Sequence, residues 1–391
     1  MKMTVVGMIS GTSFDAVDAA VADLDLDGDE VVMTPRGLHT TAFPDALRRR
    51  IAACLPPRPT TVEELCRLDT ELGQLFGTAA LGAQRALAAG GVDLVVSHGQ
   101  TVFHWVEGAH ALGTLQLGAP AWIAEATGVP VVSDLRSRDV ARGGHGAPLA
   151  STLDALLVLR DGTRRGSLNL GGIANITVRD AVGEVIAYDV GPANALMDGV
   201  VAAATAGAAR MDAGGAMAAA GRVDDAVLDR LLDEPYYRLR APKSTGKELF
   251  HADYLRGVPG ATGLATDDLL ATLTELTARL VARACRDHDL DELVVAGGGV
   301  RNPVLMARIA ALATPTAVVP IDAYGLAAQA KEAYLFALLG YLAVHGIEGT
   351  YPSATGASRG SILGSVTPGA RPLVLPTPAA TPPVRLRVVR P

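Results

Sequence analysis

The sequence predicts an α/β protein of two domains, and three observations carry that expectation. Strand-like apolar runs alternate with segments of helical period along most of the chain. A strand–turn–strand pattern begins twice, once near Thr4 and again near Gly166, as an internal duplication of a β-β-β-α unit would give. At 391 residues the chain is also too long for one ordinary core.

The elements follow in order. Thr4 to Ile9 reads as a buried strand, Ala16 to Leu24 as a second, and Val31 to Thr41 as the third of a meander. Thr61 to Ala89 has helical periodicity in Val62, Leu65, Leu68, Leu72, Leu75 and Phe76, with Thr61 as N-cap. Val92 to Ser97 is a buried strand delivering Ser97-His98-Gly99-Gln100-Thr101 at its end, followed by a strand at Leu112–Leu117, a helix at Pro120–Thr127 and a strand at Val129–Val132. Near Asp134 the charged residues Arg136, Arg138, Asp139 and Arg142 suggest a domain crossing. Strands are then expected at Gly166–Leu170, Ile176–Arg179 and Val185–Tyr188, a long amphipathic helix at Thr266–His288 and a strand at Leu293–Ala296. Asn302 followed by Pro303 is a specific helix start, and Ala327 to Val344 reads as a further helix. The expected domains are therefore residues 1–133, completed by about 350–370, and residues 134–350, with 371–391 an irregular Pro-rich tail.

Composition narrows the function. A net charge of −7 argues against a nucleic-acid partner, whose phosphates demand a basic stripe. Aromatics are only 4% of residues, so any sugar recognition should rest on hydrogen bonds rather than stacked rings. Three cysteines without metal-ligand spacing read as reduced thiols, and neither the short N-terminal apolar run nor the interrupted Ala195–Ala220 run suits a signal peptide or membrane span. A cytoplasmic, soluble enzyme without membrane partners is expected.

Three glycine-rich turns directly follow strands: Ser10–Ser13, Gly171–Asn175 and Gly297–Asn302. Ligands of open α/β sheets collect at the carboxyl ends of strands. Gly11 lets backbone N–H groups approach an anion, Thr12 and Ser13 add hydroxyls, and Asp15 and Asp18 suit a hydrated Mg²⁺. Taken alone, this turn reads equally as a plain hairpin with solvated acids. Gly171 and Gly172 supply a second phosphate-type hairpin, and Gly297-Gly298-Gly299 gives adenine a flat backbone to lie against. No GxxxxGK[ST] occurs, which excludes a P-loop.

These turns, with Ser97–Thr101, Thr114–Gly118, Asp134–Leu149, Asn169–Thr177, Asp189–Asp198, Pro242–Phe250, Gly297–Pro303 and Pro352–Gly356, resemble the anhydro-N-acetylmuramic acid kinases of the sugar kinase, Hsp70 and actin superfamily. The resemblance runs in family order from residue 7 to about 360. It implies a two-domain actin-like ATPase (ribonuclease H-like) fold with an interdomain cleft, ATP and Mg²⁺ as cofactors, an amino sugar as substrate and a homodimer. The implied reaction opens the 1,6-anhydro ring and phosphorylates O6, giving N-acetylmuramic acid 6-phosphate. A kinase for another amino or anhydro sugar, or a non-catalytic regulatory or chaperone-like module of the same fold, are the alternatives.

Residue by residue, the resemblance makes Asp189 the base that activates water and Glu332 a second acid that orients water or sugar. Without it, Asp189 reads equally as a turn cap and Glu332 as an exposed helix residue. Nucleotide contacts fall on Gly11, Thr12, Ser13, Phe14, Asp15, Ala16, Val17, Asp18, Gly171, Gly172, Asn175, Lys243, Gly297, Gly298, Gly299 and Asn302. Substrate contacts fall on His98, Gln100, Thr101, Gln116, Arg136, Arg138 and Asn194, with the two arginines suited to a lactyl carboxylate. His98 also reads as a hydrogen-bonded core histidine, the arginines as a surface cluster, and Lys243 and Lys247 as a solvated loop. Val190, Ala193, Ala119 and His145 depart from the family's usual Thr, Gly, Asp and Gln, which puts substrate identity in question more than reaction class.

Overall fold

Alternating apolar residues in the first forty positions build an antiparallel meander of β1 (Met3–Ser10), β2 (Ala16–Asp27) and β3 (Glu30–Ala42). β4 (Leu94–Glu107) joins β1 in parallel, β5 (His110–Leu117) folds back on β4, and β6 (Val131–Ser133) runs parallel to β4. The pattern then repeats. β7 (Arg165–Leu170), β8 (Ile173–Arg179) and β9 (Val185–Pro192) form a second meander, with β10 (Glu292–Ala296) parallel to β7 and β11 (Ala317–Pro320) parallel to β10. The first sheet thus contains the order β3-β2-β1-β4-β6, with β5 off this path on β4, and the second the order β9-β8-β7-β10-β11; this is the ribonuclease H-like order, present twice as the duplicated sequence pattern predicts. β12 (Ser365–Thr367) and β13 (Arg385–Val388) extend the first sheet at its two edges. The computed structural model describes residues 2–11, 14–108, 110–160, 162–241, 243–246, 249–251 and 253–390.

Local signals placed the helices well. Thr61 accepts from the Glu64 N–H at 3.1 Å, and the Val62–Leu87 helix buries Leu68, Leu72, Phe76 and Ala83 against the first sheet. Asn302 accepts from the Val304 and Leu305 N–H groups, each at 3.1 Å, to start the helix Pro303–Ala313. Asn302→Ala leaves those two donors without their cap and should destabilise the fold by about 1 kcal/mol, read as a lower thermal midpoint.

Two expectations about organisation differ from the structure. The chain divides into one unit of Met1–Leu157 and Ala330–Pro391 and another of Val158–Gln329, so the boundary lies at 158 rather than 134. The charges that suggested a crossing are used internally: buried Asp139 accepts from the Gly146 N–H at 2.8 Å and from the Thr355 hydroxyl at 2.9 Å. Lys331 and Asp154, both almost wholly buried, pair at 2.6 Å in the same unit. The helix Lys331–Val344, and Glu332 with it, therefore belongs to the first unit. It lies so close on the first sheet that a Cβ on Gly7 would come within 2.1 Å of the Ala333 carbonyl oxygen.

The Pro-rich end is the second difference. Residues 371–391 do not form an irregular tail throughout, because Leu386 is fully buried in β13, and Arg385 and Arg387 flank it on Glu30 at 3.0 and 2.9 Å. Charged side chains alternating along an edge strand also discourage further pairing. Among the described residues no helix is long and apolar enough to cross a membrane.

Candidate functional site

In the first unit the carboxyl end of β1 opens into the turn that sequence singled out. Thr12 and Ser13 lie outside the described residues. Gly11 faces open space, while Phe14 takes a φ of +38° with its N–H on the Gly11 carbonyl at 3.1 Å, a conformation bulky residues rarely adopt. Asp15 is exposed and Ala16 opens β2. Val17 is wholly buried in the core, so its expected nucleotide contact is limited to backbone already within the β-ladder. Asp18 accepts from the Thr40 hydroxyl at 2.6 Å, and desolvation together with the neighbouring Asp15 charge raises its carboxyl above the usual range.

The polar cluster beyond Ser97 is not at a strand end. β4 continues through it, held by β5, so alternate side chains turn inward. Gln100 is buried, accepts from the Ser10 hydroxyl at 2.6 Å and donates to the Thr101 carbonyl at 3.1 Å. It braces the β1 turn. His98 is likewise buried. Its Nε2 accepts from Arg136 Nε at 2.8 Å, and Arg136 Nη1 donates to the Gly146 carbonyl at 2.6 Å. Gln116 donates to the Thr101 and Thr114 hydroxyls at 3.2 and 2.7 Å, so the two predicted residues Thr101 and Gln116 do meet. Arg138 is exposed, and His145 is partly buried, with its N–H on the Thr355 carbonyl at 2.8 Å.

Burial pushes the Arg136 guanidinium down to about 10, with nearby Glu332 acting the other way. Glu332 keeps an exposed surface, yet desolvation by surrounding protein raises its carboxyl. Lys331 and Arg136 oppose that rise and Asp18 adds to it. Asp18, Arg136 and Glu332 therefore share one electrostatic neighbourhood.

The second unit gathers its predicted residues at one edge of its sheet, where β7 and β10 end and β9 leaves. Gly297 takes a φ of +89°, and a Cβ there would come within 2.6 Å of Asn169 Oδ1 and 2.8 Å of the Leu170 carbonyl oxygen. A Cβ on Gly299 would meet Leu170 Cβ at 2.6 Å, so only glycines allow the two turns to touch. Gly298 is exposed beside them. Asn194 donates its backbone N–H to the Gly171 carbonyl at 3.1 Å and Nδ2 to that of Leu170 at 3.3 Å, while the Ala193 N–H reaches Gly172 at 2.9 Å. Gly171, Gly172, Asn194 and Gly297–Gly299 are thus brought together.

Asp189 sits within β9 rather than after it. Asn175 pairs with Asp189 and Ala174 with Gly191, which leaves Val190 as the extra residue of a bulge, a device that re-aims neighbouring side chains. Asp189 Oδ2 accepts from the Ser244 hydroxyl and the Thr245 N–H, both at 2.9 Å. Its backbone N–H reaches the Lys243 carbonyl at 3.1 Å, and the Tyr236 hydroxyl donates to its carbonyl at 2.7 Å. Lys243 itself is turned to its own loop: Nζ donates to the Tyr236 and Tyr237 carbonyls at 3.3 and 3.4 Å and lies 4.8 Å from the Tyr236 ring centre. Desolvation is the main cause that lowers its pKa. Sequence reasoning missed Ser244 and Thr245 as partners of Asp189, although the 242–250 motif was their signal, and missed Tyr236, which lies outside that motif.

Val190 and Ala193 are 5% and 1% exposed in the second core, and Ala193, at φ −121° and ψ −102°, lies outside the β and right-handed helical regions, a backbone that glycine holds with less strain. Ala119 precedes the helix Pro120–Thr127 and offers it no side-chain cap.

A family model described as anhydro-N-acetylmuramic acid kinase matches residues 3–369. The chain is 56% identical to the anhydro-N-acetylmuramic acid kinase of Streptomyces coelicolor, covering 99% of both chains. It is 50% identical to that of Rhodococcus erythropolis over 99% of both, and 41% identical to that of Salinibacter ruber over 94% of this chain and 96% of the relative. The departures at 190 and 193 sit in a buried core. The chain belongs to the anhydro-N-acetylmuramic acid kinase family.

Proposed function

We propose that this protein is an ATP-dependent kinase that hydrolyses the 1,6-anhydro ring of 1,6-anhydro-N-acetylmuramic acid and phosphorylates O6 in cell-wall recycling. The products are N-acetylmuramic acid 6-phosphate and ADP. Water attacks the anomeric carbon and loses a proton to Asp189; the C1–O6 bond breaks as O6 attacks the γ-phosphorus and ADP departs. The observation that carries this reading is the Asp189 carboxylate, fixed by two donors on Oδ2 beside a bulge. Two donors on one oxygen set the orientation of the other, and orientation is what a general base needs first.

The remaining roles follow from chemistry. Backbone N–H groups of the Gly11 and Gly171–Gly172 turns suit phosphate oxygens, and the Gly297–Gly299 turn suits the flat base of ATP. Asp15 and Asp18 fit Mg²⁺: burial is the main cause that raises the Asp18 carboxyl, the Asp15 charge adds to the rise, and a cation between the two would offset that repulsion. Among the described residues no group of three or more such ligands could hold a metal. Mg²⁺ commonly takes one or two carboxylates together with phosphates and water, and when bound it would neutralise charge on those phosphates. Arg136 suits the lactyl carboxylate, and Glu332 suits the orientation of water or sugar. A cytoplasmic homodimer is part of the same proposal, on the family's likeness.

ADP release by the purified protein should be supported by 1,6-anhydro-N-acetylmuramic acid, with a product of the mass of N-acetylmuramic acid 6-phosphate. N-acetylmuramic acid and N-acetylglucosamine should support little. Equal turnover with N-acetylglucosamine and none with the anhydro sugar would sink the substrate assignment.

A further inference from the structure

We propose that His98 is a positioning residue for Arg136: its ring accepts the guanidinium Nε–H and so aims the rest of that group at an anionic part of the substrate. This deepens the reading above and rests on it. His98 lies 5% exposed on β4, its ring 4.6 Å from that of Phe336 between centroids.

The hydrogen bonds fix its tautomer. Nδ1 lies 3.0 Å from the Gly99 carbonyl oxygen, which can only accept, so Nδ1 carries the proton. Nε2 is then a lone-pair acceptor, and Arg136 Nε lies 2.8 Å from it. A doubly protonated ring would offer Arg136 no acceptor and would set two cations side by side. Burial, the Arg136 charge and that geometry all hold the imidazole neutral, well below its ordinary pKa.

Arg136 is fixed at a second point. Nη1 donates to the Gly146 carbonyl at 2.6 Å, and the Gly146 N–H is anchored at 2.8 Å on buried Asp139, itself bonded by Thr355. A planar guanidinium held at two nitrogens has its orientation determined. Among the described residues, no protein acceptor pairs with Nη2. A fork fixed on one side and open on the other is suited to a carboxylate, and the lactyl carboxylate is the anionic group of the proposed sugar.

The test is steady-state kinetics of the full-length protein. In His98→Gln the side-chain amide reaches the place of Nε2, whereas in His98→Asn it falls one bond short. The Gln variant should keep the KM for 1,6-anhydro-N-acetylmuramic acid within about threefold. The Asn variant should raise it about tenfold or more, the loss of an aimed charge-assisted bond, with kcat and the KM for ATP within about twofold. With 1,6-anhydro-N-acetylglucosamine, which lacks the carboxylate, the two variants should behave alike. If the Asn variant does not fold, His98→Met, as long as Gln but without a strong acceptor, takes its place. Arg136→Lys separates the two levels. If it leaves the sugar KM unchanged, Arg136 is not a substrate contact. If it raises that KM while the Gln and Asn variants match each other, the positioning role of His98 is overturned.

Discussion

Asp189→Asn is expected to lower sugar-dependent ADP release about a thousandfold, the range lost with a positioned general base. The four described hydrogen bonds of Asp189 survive the substitution. An asparagine Oδ1 can still accept from the Ser244 hydroxyl and the Thr245 N–H, and the Lys243 and Tyr236 bonds use the Asp189 backbone, which is unaltered. The loop at 243–246 therefore keeps its anchor, and the variant should fold with an unchanged thermal midpoint and an unchanged KM for ATP. What disappears is the ability to take a proton from the attacking water. The loss should fall on kcat, since a base contributes in the transition state rather than in binding. Turnover within tenfold of the parent protein would show that another group removes that proton.

Local chemistry made much of the fold legible. Apolar alternation marked the two meanders, Thr61 and Asn302 marked helix starts to the residue, and glycine pairs marked the turns where strands end. The errors came where a distant partner decides. Ser97 to Thr101 read as the end of a strand, whereas pairing of Gln100 and Thr101 with β5 carries the strand onward. Arg136 and Asp139 read as a solvated crossing because their partners, His98 and Thr355, lie far away in sequence. The alternation of Leu386 with two arginines was hidden among prolines and depended on Glu30, at the other end of the chain. In the site, the glycines and Asp189 were visible as residue types. Ser244 was visible only as part of a motif, since nothing local says that a loop 55 residues away will hold that carboxylate.

Lys331→Met should destabilise the first unit by about 3–5 kcal/mol, more than any other single change considered above. Lys331 and Asp154 are 5% and 4% exposed and 2.6 Å apart, so methionine would fill the space yet leave Asp154 as a buried charge without its cation. The helix Ala150–Leu157 that carries Asp154 packs on β13 and on the helix Lys331–Val344, so the loss should spread to that contact and lower the thermal and urea midpoints together. Replacing both partners, Lys331→Met with Asp154→Leu, should recover most of the stability at neutral pH, because no buried charge is left uncompensated. A double variant no more stable than Lys331→Met alone would mean that packing of the lysine stem, rather than the ion pair, holds this part of the fold.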